Sequence, residues 1–188
     1  MKIAFVAYDS CLSSSISLPL EMLNAAAETH RAITNKTVLK PQVFGNLRKV
    51  QAAGGLNIYT DSHPRNISDV DLVVFPAIWR NPLTVIRRQH YLLELLRQWH
   101  AKGINLCAVG TSSSFFAEAG LLQQRPATTH WGYFDQFQKR YPEVQLEKNF
   151  LITRSKNIYC AGSVNSVADL IIHFIETFYG SDIARRVE

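Results

Sequence analysis

The chain has 188 residues, 47% of them hydrophobic and 19% charged, which is the balance of a soluble globular protein. Its net charge of +5 comes from lysines and arginines spread along the chain, whereas nucleic-acid modules usually gather theirs on one face, so we interpret the excess as a solvated surface. The sequence shows no disulfide framework, zinc-binding cysteine pair, signal-peptide pattern or membrane-spanning apolar run, which excludes the secreted, collagen-like, disordered and membrane classes.

The first half of the chain alternates between apolar runs of strand length and apolar residues at helical spacing. Strands are predicted at residues 2–8, 38–45 and 71–76, and helices at residues 16–32 and 89–102. Gly54 and Gly55 separate two short β-like pieces within residues 50–59, which predicts a hairpin.

The second half continues the alternation. Strands are predicted at residues 104–109, 144–146, 150–153 and 158–161, and helices at residues 111–122, 131–141 and 164–179. Continuous apolar strands that alternate with helices indicate a parallel sheet covered on both faces. The sequence therefore predicts one doubly wound α/β domain, with a mainly parallel sheet and a small antiparallel hairpin insertion.

A tight strand-to-helix junction is predicted at residues 106–114. A buried strand breaks at Gly110, and glycine tolerates the strained backbone of such a turn. We expect the free N–H groups of Thr111, Ser112 and Ser113 to point into the crevice at the carboxyl edge of the sheet, where the helix dipole favours an anion. The alternative is that the serines only cap the helix.

Several segments resemble one protein family, in the same order along nearly the whole chain. The segments Ala-Glu-Ala-Gly-Leu-Leu (residues 117–122) and Arg-Pro-Ala-Thr-Thr-His-Trp (125–131) carry most of the resemblance, and residues 18–23, 141–144 and 161–163 support it. These segments resemble those of AraC-type transcriptional regulators whose N-terminal half is a ThiJ/PfpI domain. Such a domain is similar to class I glutamine amidotransferases. The resemblance implies a flavodoxin-like sheet.

The resemblance also implies which residue occupies the elbow, the tight turn between strand and helix. In enzymes of this family a nucleophilic cysteine stands there. Counted back from residues 117–122, the elbow of this chain is Gly110, which has no nucleophile. Cys107 lies three residues upstream, within an apolar strand, where a thiol is usually inert. Thr111 or Ser112 would need an adjacent base, and no Ser-His-Asp pattern is evident.

Four further residues are candidates for the ligand site. Glu21 matches the family carboxylate that approaches the elbow, although it could also be a surface charge. His130 either lines the pocket or caps the helix that follows it. Trp79 and Trp131 either enclose a cation through cation–π contacts or serve core or dimer packing.

The sequence thus predicts a non-catalytic, ligand-sensing and dimerisation domain of an AraC-type regulator in a reduced cytoplasm, without metal or cofactor. Its effector would be a small metabolite, amino-acid-derived or a quaternary amine, bound at Gly110. The resemblance places a helix-turn-helix DNA-binding domain beyond residue 188, after a linker, and a homodimer is expected. The alternatives are a ThiJ/PfpI-type hydrolase, hydratase or glyoxalase using Cys107, and a dimerisation module with a vestigial pocket.

Overall fold

The computed structural model describes residues 2–36 and 40–188. Its strands are β1 (Ile3–Val6), β2 (Gln42–Phe44), β3 (Lys49–Gln51), β4 (Asn57–Tyr59), β5 (Leu72–Phe75), β6 (Asn105–Val109), β7 (Pro126–Ala127), β8 (Gln145–Leu146), β9 (Ile152–Ser155) and β10 (Ile158–Ala161). Its α-helices are α1 (Ser14–Thr34), α2 (Pro82–Arg88), α3 (Tyr91–Ala101), α4 (Ser113–Glu118), α5 (Phe134–Arg140), α6 (Val164–Tyr179) and α7 (Ser181–Val187). Short 3₁₀ turns occupy Pro64–Asn66, Gly110–Ser112 and Trp131–Tyr133.

Six strands form the main sheet in the order β2-β1-β5-β6-β10-β9. Neighbouring strands are parallel except at the edge, where β9 runs antiparallel to β10. Helices α1, α6 and α7 pack together as one group, and α4 packs against α2 and α3 in a second group. A doubly wound sheet carries such groups on its two faces, so the predicted flavodoxin-like fold is confirmed.

The apolar runs of the sequence become fully buried strands, because both faces of the sheet are covered. Every residue of β1, β5 and β10 is buried. Aromatic rings pack around Phe75 beneath the carboxyl edge of the sheet, with ring centroids 5.4 Å from Phe115, 5.5 Å from Phe116 and 6.4 Å from Trp99. This packing gives the loops at that edge a rigid floor.

The hairpin prediction is confirmed, whereas helix α2 was missed. Strands β3 and β4 pair antiparallel around Gly54 and Gly55, which both have positive φ angles. Helix α2 precedes the predicted helix at residues 89–102, which α3 fills. Two residues mark the start of α2. The side chain of Asn81 accepts a hydrogen bond from Leu83 N–H at 3.0 Å, and Pro82 occupies the first helical position.

Other boundaries differ in detail. The helix predicted at residues 111–122 is a 3₁₀ turn followed by α4, and the one at 131–141 is a 3₁₀ turn followed by α5. The predicted strand at residues 38–45 appears as β2, while Val38 and Leu39 lie outside the described residues. The last residues, near which the resemblance expects a linker to begin, form α7 up to Val187, with Ile183 and Ala184 buried. No helix in the two described ranges is long and apolar enough to cross a membrane.

Candidate functional site

Gly110 follows β6 directly and has a φ angle of +53°, in the left-handed region that favours glycine. A Cβ atom added there would lie 3.5 Å from Ala77 Cβ, 3.8 Å from His130 Cβ and 3.9 Å from the Gly162 carbonyl oxygen. These are ordinary van der Waals distances, so the space around the elbow admits a side chain. Gly110 thus joins β6 to the next turn with a left-handed backbone, and the residue itself offers only backbone atoms.

The two hydroxyl groups after Gly110 hold neighbouring loops in place. Thr111 Oγ1 donates to the Ile78 carbonyl oxygen at 2.7 Å and accepts from Ile78 N–H at 3.0 Å. Ser112 Oγ accepts from Val109 N–H at 2.8 Å and lies 2.8 Å from the Phe75 carbonyl oxygen. Both hydroxyls are therefore committed to the backbone, and neither is poised as a nucleophile.

A cavity of about 490 Å³ opens at the elbow. It lies where the segments after β5, β6 and β10 meet, which is the edge where open α/β sheets bind their ligands. Its lining consists mostly of apolar and aromatic side chains with a few polar groups: Leu12, Ala77, Ile78, Trp79, Arg80, Gly110, Thr111, His130, Tyr133, Ser163, Val164 and Asn165. This composition is typical of a small-molecule site.

The structure brings four of the seven candidate site residues to this cavity: Trp79, Gly110, Thr111 and His130. Ser112 is not among the lining residues, because the whole residue, including its N–H group, is fully buried beneath the turn. The N–H group of Ser113, also expected to face the crevice, instead bonds the carbonyl oxygen of Gly110 within the turn. The expected crevice positions of Ser112 and Ser113 are therefore wrong.

The pocket position expected for Glu21 is also wrong. Glu21 is exposed on α1 and does not line the cavity. The buried face of α1 is formed by residues three or four apart, namely Ser15, Ile16, Pro19, Leu23 and Ala26. Position 21 falls outside that stripe, so its carboxylate points to solvent.

His130 combines the two roles that its sequence position left open. Its ring lines the cavity, and its Nδ1 accepts a hydrogen bond from Gly132 N–H at 3.2 Å, which caps the 3₁₀ turn. In the neutral ring Nε2 then carries the proton. Trp131 is 76% exposed, and its ring is tilted by 33° against that of His130, with the centroids 5.5 Å apart. It lies outside the lining of the cavity, which corrects its expected place in the pocket.

The sequence did not indicate most of the charged and polar residues that line the cavity. Arg80, Tyr133, Ser163 and Asn165 were not among the candidates. Arg80 follows Trp79 after the end of β5, and Ser163 follows β10, so both positions obey the rule that ligands bind at the carboxyl ends of strands. Applying that rule to every parallel strand would have found them.

All three cysteines are buried, within the described residues. Cys107 lies inside β6 opposite Val74 and Tyr159 of the adjacent strands, and burial together with neighbouring Cys160 raises its thiol pKa far above the ordinary value. Burial also raises the pKa of Cys11 to about 11 and of Cys160 to about 12. None of the three lines the cavity. At neutral pH these thiols are protonated and poorly nucleophilic.

The site shows no sign of metal chemistry in the part of the chain that the structure describes. No group of three or more histidine, cysteine, aspartate or glutamate side chains is clustered there in a way that could hold a metal ion.

Comparison with known proteins was made at three levels. The family model described as DJ-1/PfpI family matches residues 1–177. The HTH-type transcriptional regulator CdhR from Pseudomonas aeruginosa is 30% identical over 138 residues, which is 73% of this chain but only 40% of the length of that regulator. The chain is therefore similar to a minor part of a longer protein.

An enzyme and a solved structure are also similar. Isonitrile hydratase from Pseudomonas putida is 27% identical over 147 residues, covering 78% of this chain and 62% of the enzyme. The crystal structure of an AraC family transcriptional regulator from Pseudomonas putida superposes with a TM-score of 0.82 at 19% identity, covering 99% of this chain and 96% of that one. At this identity the structural likeness shows the fold alone.

Proposed function

The chain belongs to the DJ-1/PfpI family, and from this membership we propose that it is the non-catalytic, effector-sensing and dimerisation domain of an AraC-type transcriptional regulator. Its similarity to part of a longer HTH-type regulator supports the proposal. In this proposal a helix-turn-helix domain beyond residue 188 binds DNA in the cytoplasm, and this chain reports the effector to it.

The observation that carries the proposal is the elbow itself. Gly110 has the left-handed backbone of a nucleophile elbow and borders a 490 Å³ cavity, yet it has no side chain. Covalent catalysis needs an activated nucleophile at this position. A site that keeps the cavity without the nucleophile is suited to recognise a small molecule and release it unchanged.

The effector is a small metabolite that is amino-acid-derived or a quaternary amine. Trp79 is 54% exposed and lines the cavity, and its ring is the contact for an ammonium group through cation–π attraction. Gly110, Thr111 and His130 line the same cavity. Because Glu21 lies away from the cavity, aromatic rings rather than a carboxylate would hold the cationic end.

Helix α6 offers the route by which binding reaches the rest of the regulator. Its first residues, Val164 and Asn165, line the cavity, and α6 packs against α1 and α7. An effector that prefers one position of α6 shifts the population of that arrangement by its difference in affinity for the two. Helix α7 then carries the change toward residue 188 and the proposed DNA-binding domain.

A ligand screen on paired variants tests this function. Unfolding temperature is measured against amines, betaines and amino acids for the wild-type chain, for Asn165→Trp, which fills the cavity mouth, and for Asp169→Trp, an exposed position one turn further along α6. A ligand at about 100 times its Kd adds about 2.7 kcal/mol of stability, or roughly 5–10 °C for a chain of this size.

We expect such a shift in the wild-type chain and in Asp169→Trp, and its loss in Asn165→Trp. If no compound stabilises the wild-type chain, the sensing role is rejected in favour of a dimerisation module with a vestigial pocket.

An enzyme using Cys107 is the second candidate, favoured by the similarity to isonitrile hydratase. Rapid and selective alkylation of Cys107, blocked by a substrate analogue, would support it. The burial of Cys107 in β6 argues against that result.

A further inference from the structure

We propose that the cavity selects ligands that carry a carboxylate group, and that Arg80 is the residue responsible for this selection. The inference rests on the proposed sensing function and adds the chemical class of the ligand and its anchor. It comes from the backbone conformation and the charge environment of this one residue.

Arg80 is held in an unusual conformation from both sides. Its φ angle is +65°, in the left-handed region that residues with a Cβ rarely adopt. On one side, Trp79 N–H donates to the Ser10 carbonyl oxygen at 2.9 Å, and on the other, Asn81 caps α2. Such strain persists only where the surroundings enforce it, and it clusters at ligand clamps. The base of the Arg80 side chain is therefore fixed at the cavity.

The charge of Arg80 is not neutralised by the part of the chain that the structure describes. The ion pairs found there join Lys2 to Asp69, Arg140 to Glu118, Lys148 to Asp135 and Arg185 to Asp182. Among the described residues that line the cavity there is no aspartate or glutamate. A guanidinium group presents a planar fork that matches a carboxylate in two parallel hydrogen bonds.

The start of α6 adds positive potential on the same cavity. Ser163 and Ser166 cap each other, through Ser163 N–H to Ser166 Oγ at 2.9 Å and Ser166 N–H to Ser163 Oγ at 3.1 Å. The N–H groups of Val164 and Asn165, the first two helical residues, have no partner within a helix. Both residues line the cavity at the positive end of a 16-residue helix. These donors would assist Arg80 in holding an anion.

The apolar lining would contact the rest of the ligand. Among compounds with the same carbon skeleton, the carboxylate would therefore determine which binds more tightly. A carboxylic acid and its primary amide have nearly the same shape, but only the ionised acid gains from Arg80. Leaving the guanidinium unpaired against a neutral amide loses a charge-assisted hydrogen bond. We therefore expect acids to bind at least tenfold more tightly than their amides.

Paired fragments test this directly. The probes are acetate and acetamide, butyrate and butyramide, and phenylacetate and phenylacetamide, with Kd measured by ligand-observed NMR on the wild-type chain and on four variants. Arg80→Gln removes the charge, Arg80→Lys keeps the charge without the fork, and Arg80→Gly also relieves the left-handed strain. Arg88→Gln removes an equal charge from an exposed position on α2 and serves as the matched control.

The expected result is a preference for acids of at least tenfold in the wild-type chain and in Arg88→Gln. It should be reduced in Arg80→Lys and lost in Arg80→Gln and Arg80→Gly. Because Arg80→Gly suits the backbone, its loss of preference cannot be assigned to misfolding. Equal binding of acids and amides, no binding of any acid, or an undiminished preference in Arg80→Gly overturns the inference.

Failure of the Arg80 inference can be told apart from failure of the sensing function. If amides or amines bind the wild-type chain as well as acids do, and Asn165→Trp abolishes that binding, the cavity is a ligand site without carboxylate selection. If no probe of any class binds, the sensing function itself is rejected.

Discussion

Two positions three residues apart, one inside β6 and the other directly after it, contrast in every property that catalysis requires. Gly110 has the elbow backbone and access to the cavity but no reactive atom. Cys107 has the reactive atom but is fully buried between β5 and β10, where its thiol is kept protonated. The contrast teaches that a nucleophile needs both a reactive atom and access to the cavity, and neither of these two residues has both.

Placing a thiol at position 110 should have the largest effect, because it joins a reactive atom to a position that lines the cavity. Gly110→Cys is expected to react with a thiol reagent such as dithionitrobenzoate at least 100-fold faster than the native cysteines, because they are sealed in the core. The left-handed backbone should cost about 1–2 kcal/mol of stability.

Gly103→Cys provides the benchmark for that experiment, because Gly103 also has a positive φ and nothing near its added Cβ. If Gly110→Cys reacts as slowly as the wild-type chain while Gly103→Cys reacts quickly, the elbow does not open on an accessible cavity.

Removing the hydroxyl of Thr111, which holds the loop after β5 through two hydrogen bonds to the Ile78 backbone, should have the next largest effect. Thr111→Val leaves the buried N–H and carbonyl groups of Ile78 unpaired, which is expected to cost about 2–4 kcal/mol in the free energy of unfolding. Thr111→Ser keeps the hydroxyl and should cost much less. Urea unfolding of the two variants measures the difference, and equal losses would show that the hydroxyl contributes little.

Alkaline pH should lower the stability of the fold because the thiol of Cys11 is buried. Folding raises the pKa of this thiol from its ordinary value of 9.0 to about 11, mainly because burial disfavours the thiolate. Above pH 9 the unfolded chain therefore loses its proton first, so stability falls as pH rises toward 11, by roughly 2 kcal/mol. Urea unfolding at pH 8 and pH 10.5 should show a smaller fall for Cys11→Ala than for the wild-type chain. An equal fall in both would contradict the assignment to Cys11.

The smallest expected effect separates sensor from enzyme. Cys107→Ala should leave ligand-induced stabilisation unchanged, because the thiol does not line the cavity. The lost packing should cost about 1–2 kcal/mol of stability. Loss of ligand binding in this variant, at an unchanged fold judged by circular dichroism, would favour the enzyme that uses Cys107.

Much of the fold could be predicted because its signals are local. The fully buried strands at Leu72–Phe75 and Asn105–Val109 are continuous apolar runs, and α6 lies where its apolar spacing predicts it. Helix α2 was missed because its seven residues are too short for a clear period, although Asn81 and Pro82 mark its start. Helix α7 was missed because its burial depends on contacts with α1 and α6.

The site was predicted less completely, for a related reason. Gly110 and Thr111 follow from the break of one strand, but Arg80, Tyr133 and Asn165 lie on three other segments. Glu21 was carried over from a motif, and only the packing of α1 decides that position 21 faces solvent. A motif identifies a residue type at a position; the side on which the helix is buried decides where that residue points.

By itself, the sequence determined the class of fold, the glycine at position 110 and the resemblance to a regulator, because strand periodicity, residue identity and motif order are properties of the linear sequence. Only the tertiary structure decided which side chains share the cavity and that its charged group is Arg80. Segments distant in sequence meet there because parallel strands bring their carboxyl ends to one edge, and their side chains meet only once helices and sheet have packed.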